Sequence, residues 1–279
     1  MTQKTVFISG ATSGIGLATV KQLLAEGWVV YAGGLDSDDF SVLRDGILRL
    51  PFDITDEQAV ENAVSQLASE IGRLDALVNN AGIQLSGSIE GLSMAQIRQQ
   101  MEVNLFGHVQ VTKAMLPLLR KASSARIVNV SSLMGQVAMP LLGAYSMSKH
   151  ALEAFSDVLR IELASSGIHV AVVEPGAIKT PMSNRAYDGL VRVRDNSPAE
   201  IQERYQPYFD GMLKTLQSQQ TTATSPETIA KVIVHALTNQ HPKARYAIGI
   251  DVKGLSTIRK ILPDRFGDWI LLRALGIKG

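Results

Sequence analysis

Short β-branched runs alternate along the chain with longer stretches whose apolar residues recur at helical spacing. Thr5–Ser9 reads as a buried strand, and Ile15–Glu26 reads as a helix that Gly27 terminates. Trp28–Ala32 is a second strand and Ile47–Pro51 a weaker third. Asp56–Ile71 is helical, with Ala59, Ala63, Val64, Leu67 and Ala68 on one face. A fourth strand ends through Leu77 and Val78 at Asn79. Met94–Arg120 carries a long helix that Pro117 would kink or shorten. Arg126–Val130 is a fifth strand, Tyr145–Ala164 a helix and His169–Val173 a sixth strand. Residues 226–240 read as a helix and Tyr246–Gly249 as a last strand.

Strands that are apolar along their whole length, separated by helices, imply a parallel sheet covered on both faces. The pattern predicts one doubly wound α/β domain over residues 1–279, with right-handed crossovers and no internal repeat or linker. Residues 177–225 depart from it, with few strand signals and a cluster of Tyr205, Tyr208, Phe209 and Met212. They follow a strand's carboxyl end, where ligands bind in open α/β sheets, so a lid insertion near 180–215 is expected. A surface helix pair is the alternative.

Composition narrows the chemistry. With 46% hydrophobic and 19% charged residues the chain is neither disordered nor fibrous. It has no cysteine, which excludes a disulfide scaffold, a thiolate zinc site and a cysteine nucleophile. The five histidines (108, 150, 169, 235 and 241) show no metal-ligand spacing, so no metal site is expected. A net charge of +1 gives no field to recruit nucleic acid. The first apolar run stops at Gly10, unlike a signal peptide, and no stretch approaches the ~20 apolar residues that span a bilayer, so a cytoplasmic protein is expected.

The first strand runs directly into a glycine turn, Gly10-Ala11-Thr12-Ser13-Gly14-Ile15-Gly16. Its glycines let the backbone turn sharply and approach a ligand, and they open a helix whose N-terminal N–H groups and dipole favour a pyrophosphate. A lone G-x-x-x-G-x-G is a weak signal; its place between the first strand and the first helix strengthens it.

Further short motifs follow in order: Asp53-Ile54, Asn79-Asn80-Ala81-Gly82, Asn104, Val130-Ser131-Ser132, Tyr145 with Lys149, and Pro175-Gly176 with Thr180. Together with Ser9–Gly16, over roughly residues 4–250, the chain resembles the short-chain dehydrogenase/reductase family, and within it the hydroxysteroid, retinol and 3-hydroxybutyrate dehydrogenases. The resemblance implies a Rossmann-like sheet and hydride transfer between a nicotinamide cofactor and a secondary alcohol or ketone.

Tyr145 and Lys149 stand four residues apart on a predicted helix and so share one face. An unperturbed tyrosine is a poor base at neutral pH, and a nearby ammonium would favour its phenolate. The resemblance implies that Tyr145 is the general acid/base and that Lys149 holds the nicotinamide ribose while lowering the tyrosine pKa. Ser132, thirteen residues before Tyr145, has the family's spacing for the hydroxyl that meets the substrate oxygen; Ser131 is the competing choice. Neighbouring strand residues face opposite ways, so only one of them can point into the site. Asn104, a poor helix former within the long helix, is implied to hold a proton-relay water.

The resemblance also places Gly10, Ser13, Gly14, Ile15 and Gly16 on the cofactor. Asn80, Ala81 and Gly82 are implied to line its adenosine and ribose side, and Asp53 with Ile54 to read adenine. Asp53 could instead cap the next helix, in competition with Thr55 and Asp56. Pro175, Gly176, Ile178 and Thr180 are implied to contact the carboxamide and phosphates.

NAD-users often carry an acid at the end of the second strand, which here is Gly34; NADP-users carry a base nearby, and Leu35 and Ser13 are not basic. Asp36, Asp38 and Asp39 would repel a 2′-phosphate, so NAD is favoured and NADP is the alternative. Met134, Met139 and Met182 suggest an apolar pocket for a hydrophobic small-molecule substrate, whereas Arg185, Arg192 and Arg194 suit an anionic one. The tail, 255–279, would pack on the core, at a subunit interface, or, least favoured, on a membrane surface. By analogy with the family the protein is a homodimer or homotetramer. The rival readings are an NADPH-dependent carbonyl reductase and a non-catalytic dinucleotide-binding regulator.

Overall fold

A computed structural model of the chain describes residues 3–35, 40–43, 47–249, 254 and 263–277. Seven parallel strands form one sheet in the order β3-β2-β1-β4-β5-β6-β7. The strands are β1 (Thr5–Ile8), β2 (Val29–Gly34), β3 (Leu48–Pro51), β4 (Ala76–Asn79), β5 (Arg126–Val130), β6 (His169–Pro175) and β7 (Arg245–Ile248). The strand order reverses between β1 and β4, which puts a crevice at the carboxyl ends of these two strands.

Helices cover both faces because successive strand residues point to opposite sides. Val6 and Ile8 of β1, Val30 of β2 and Val128 of β5 pack with helices α1 (Gly14–Ala25) and α8 (Pro226–Thr238). Phe7, Leu77 and Ile127 point the other way. They meet Leu67 of α2 (Glu57–Glu70), Met115 of α4 (Gly107–Leu119) and Leu159 of α5 (Gly143–Glu162). Every one of these side chains is buried, which explains why the strands read as continuously apolar.

The long helix predicted over Met94–Arg120 is interrupted. It consists of α3 (Met94–Met101), a π-turn at Glu102–Phe106 and α4, and Pro117 lies inside α4 near its end. The break falls at Asn104, not at Pro117. Asn104 turns its side chain to Ile83 and Ser148, bonds that a regular helix at this position need not supply.

Residues 177–225 form the helix pair α6 (Pro181–Asn196) and α7 (Ala199–Thr222), and these helices also roof the sheet's carboxyl end. Leu190, Phe209 and Met212 are buried against Leu133, Leu142 and Tyr145, with Leu275 from the chain's end. Helix α9 (Asp264–Ala274) lies beside them. Among the described residues no helix is long and apolar enough to cross a membrane.

Candidate active site

The sheet's carboxyl end opens into a cleft of about 1180 Å³. That exceeds the 300–1,000 Å³ usual for one small ligand and leaves room for a dinucleotide and a second molecule. Its floor is the glycine turn. Gly10 and Gly14 have φ of +63° and +51°, in the left-handed region that side chains disfavour. A Cβ on Gly10 would stand 2.8 Å from Ala81 Cα, and one on Gly16 would collide with the Gly10 carbonyl. Ser13 occupies the N-cap of α1 but makes no side-chain capping bond. An uncapped helix N-terminus behind side-chain-free backbone suits a pyrophosphate, so these residues fit a dinucleotide. Ser13, Gly14 and Ile15 all line the cleft.

Asn80 lines the same cleft, but its amide is spent inside the protein. Its Nδ2 donates to the carbonyls of Ser9 and Gly10, each at 3.0 Å, while Ser9 Oγ accepts from the Asn80 and Ala81 N–H groups at 2.9 and 3.1 Å. Asn80 therefore clamps the glycine turn from its place in the cleft wall. Gly82 sits against Asn104. The helix cap after β3 is Asp56, which accepts from Ala59 N–H. Asp53 instead holds Thr55 through its N–H and hydroxyl, both at 2.8 Å, and with Ile54 it lines the cleft. Gly34 and Leu35 line it at the end of β2. Asp36, Asp38 and Asp39 lie outside the described residues.

On the opposite wall, Pro175 ends β6, and Gly176, Ile178 and Thr180 follow it. Thr180 caps α6 by accepting from Ser183 N–H, and it packs on the glycine turn.

Helix α5 brings Tyr145 and Lys149 to the cleft as neighbours, with Lys149 Nζ 5.8 Å from the tyrosine ring centre. Lys149 donates to the Val130 carbonyl at 2.9 Å, which ties α5 to the end of β5. Ser132 lines the cleft beside Tyr145 and accepts from Met134 N–H at 3.2 Å, whereas Ser131 lies toward Glu153, both of them close to Gly135.

Burial dominates the electrostatics. It pushes the Tyr145 phenol above its ordinary value, opposed only by Ser132. Burial also lowers Lys149 to about 8, while the Glu153 carboxylate raises it. His108, fully buried, is lowered to about 3 by burial and by Lys149, so it is neutral.

Asn104 is fully buried at the π-turn. Its Oδ1 accepts from Ile83 N–H at 2.9 Å, and its Nδ2 donates to Ile83 O at 3.0 Å and to Ser148 Oγ at 3.2 Å. Its amide thus links the strand-end loop to α5 one residue before Lys149.

Two parts of this region were not visible in the sequence. Leu271, Ala274 and Leu275 at the end of α9 contribute to the cleft wall, with Met212 and Leu216 of α7. Behind the site, Arg245 of β7 is paired with Glu153 and Asp157 of α5, at 3.1 and 2.7 Å. No cluster of metal ligands occurs among the described residues.

A dinucleotide cradle facing a buried tyrosine–lysine pair across a doubly wound sheet defines a nicotinamide-dependent oxidoreductase. The chain belongs to the short-chain dehydrogenase family, whose model matches residues 4–190. It is 37% identical to the uncharacterized oxidoreductase YusZ of Bacillus subtilis, over 99% of both chains. It is 36% identical to human 17-beta-hydroxysteroid dehydrogenase type 6, over 97% of this chain and 88% of that one. A short-chain dehydrogenase from Streptomyces avermitilis has the same fold, with a TM-score of 0.76 at 26% identity over 98% of both chains. The protein is accordingly an NAD(P)-dependent oxidoreductase acting on a CH–OH group or the corresponding carbonyl.

Proposed function

We propose that this enzyme interconverts an apolar secondary alcohol and its ketone, with Tyr145, Ser132 and Lys149 as the reacting group and Asn104 as its support. The observation that carries the reading is the convergence of all three side chains on the cleft that the glycine turn floors. When bound, the nicotinamide supplies the hydride for reduction or receives it in oxidation. Ser132 donates a hydrogen bond to the substrate oxygen. Tyr145 gives that oxygen its proton in reduction and takes it back in oxidation. Burial keeps the phenol protonated, which is the form that donates. Lys149 holds the nicotinamide ribose hydroxyls, and Ile178 and Thr180 hold the carboxamide and phosphates.

Met134, Met139 and Met182, with Leu142, Leu271 and Leu275, support an apolar substrate. Gly34 and Leu35 bring no cation to a 2′-phosphate, which supports NAD over NADP. Met147, Val158 and Ile161 form an exposed apolar stripe along α5, which supports burial of this face in a homo-oligomer.

Tyr145→Phe is the direct test. Steady-state reduction of a bulky cyclic ketone such as 2-decalone, with NADH and with NADPH, should lose about 10³-fold or more in kcat/KM, while dinucleotide affinity by calorimetry stays within twofold. Turnover retained in the variant overturns the assignment.

A further inference from the structure

Helix α5 grips the end of β5 with two successive turns. Lys149 donates to the Val130 carbonyl at 2.9 Å, and one turn later Glu153 lies across Gly135 from Ser131. Gly135, three residues past Ser132, lies between them: a Cβ there would be 2.7 Å from Ser131 Oγ and 3.1 Å from Glu153 Oε1. A carboxylate so deeply buried needs a cation. Arg245, on the edge strand β7, supplies it at 3.1 Å, and Arg245 also holds Asp157 at 2.7 Å and Glu174 at 3.4 Å. Glu174 in turn accepts from Gln136 at 3.0 Å, so the bridge returns to the segment that follows Ser132. One arginine thus ties α5, β6 and the Ser132 segment together from behind.

We propose that Glu153 is a positioning residue: clamped by Arg245, it braces the strand end that presents Ser132 and places a carboxylate one helical turn from the Lys149 ammonium. The inference rests on the reading of Ser132 and Lys149 as reacting groups, but its own test is independent of turnover. The charged or titratable groups that face Lys149 are Tyr145 and Glu153 on α5 and His108 on α4. His108 is neutral, so Glu153 is the group that offsets the burial of the ammonium. Around Glu153 stand Arg245, Asp157, Glu174 and Ser131.

Glu153→Gln removes the charge but keeps the shape. Arg245 retains Asp157 and Glu174 as partners, so no buried cation is stranded. The test is the titration of Lys149 in the full chain labelled with ¹³C-lysine, its resonance assigned by its absence from Lys149→Met. The midpoint should lie near pH 8 in the wild type and fall by about one unit or more in Glu153→Gln. An unchanged or raised midpoint overturns the proposal. Should Glu153→Gln not fold, Glu153→Asp keeps the charge but retracts it by one methylene; a smaller fall is expected, and no fall overturns the proposal. The basic limb of kcat/KM for 2-decalone should move by the same amount as the midpoint. If the midpoint shifts and the limb does not, Glu153 positions Lys149 but Lys149 is not the reacting group, and the proposed function fails instead.

Discussion

Gly14, the first residue of α1, and Thr180, the N-cap of α6, stand against each other: a Cβ on Gly14 would lie 3.2 Å from Thr180 Cγ2. The contact brings two helix N-termini to one point of the cleft, one after β1 and the other after β6. Each turns the positive end of a helix dipole toward this point, an arrangement that suits the negative charge of a pyrophosphate. The motifs that supply this pair are separated by 166 positions in the chain and are joined only by the fold.

Gly14→Ala should therefore weaken dinucleotide binding more than it weakens the fold. The φ of +51° costs an alanine about 1–2 kcal/mol, and the new methyl presses Thr180 away from the turn. Calorimetric titration with NADH should show affinity reduced about tenfold or more, with a melting temperature only a few degrees lower. Wild-type affinity would mean that the phosphates do not sit between Gly14 and Thr180.

Gly211 plays a comparable part for the other end of the cleft. It lies in α7, and a Cβ there would run into the carbonyl of Leu275 at the end of α9. This close approach seats Leu271, Ala274 and Leu275 in the cleft wall. Gly211→Val should push α9 outward and open the wall near Met212 and Leu216. The loss of a leucine-sized contact is worth about 1–3 kcal/mol, so KM for 2-decalone should rise about tenfold or more. NADH affinity should stay within twofold, because the glycine turn is untouched. A KM that does not rise would place the apolar substrate away from α9.

The sheet was legible because strands buried on both faces read as apolar runs, and because Gly27 closes α1 with a φ of +80°. The meeting of Tyr145 and Lys149 was legible because they are one turn apart and need only a helix to bring them together. The break at Asn104 was not legible: an asparagine lowers helix propensity whether or not its side chain finds Ile83 and Ser148, and those partners come from elsewhere in the fold. The pairing of Glu153 with Arg245 joins residues 92 positions apart, and in the sequence each looks like an ordinary surface charge. The role of Asn80 as a clamp was equally hidden, since a motif fixes which residue is present and not where its amide points.

Lys149 makes the site expensive to fold, and the sign of that cost can be worked out. Burial lowers its pKa to about 8, against 10.4 or so in the unfolded chain. Below pH 8 both states carry the proton, and the folded state bears the full penalty of a buried ammonium. Between pH 8 and about 10.4 the unfolded chain holds the proton that the folded one has released, so this group's contribution to stability rises with pH. A shift of this size corresponds to about 3 kcal/mol. Lys149→Met removes the penalty but strands the Val130 carbonyl, which takes back about 1–2 kcal/mol. The variant should be inactive yet melt about 2–6 °C higher than the wild type at pH 7. By pH 10 the advantage should vanish or reverse, because the wild-type lysine is then neutral in the fold and keeps its hydrogen bond. Thermal unfolding of both proteins at the two pH values decides the matter, since titrating groups that do not interact with Lys149 are shared and cancel in the difference, and His108, which does interact with it, is neutral at both. A wild type that is the more stable at pH 7 would show that Lys149 is retained for the fold, and the case for its keeping a costly charge for chemistry would be lost.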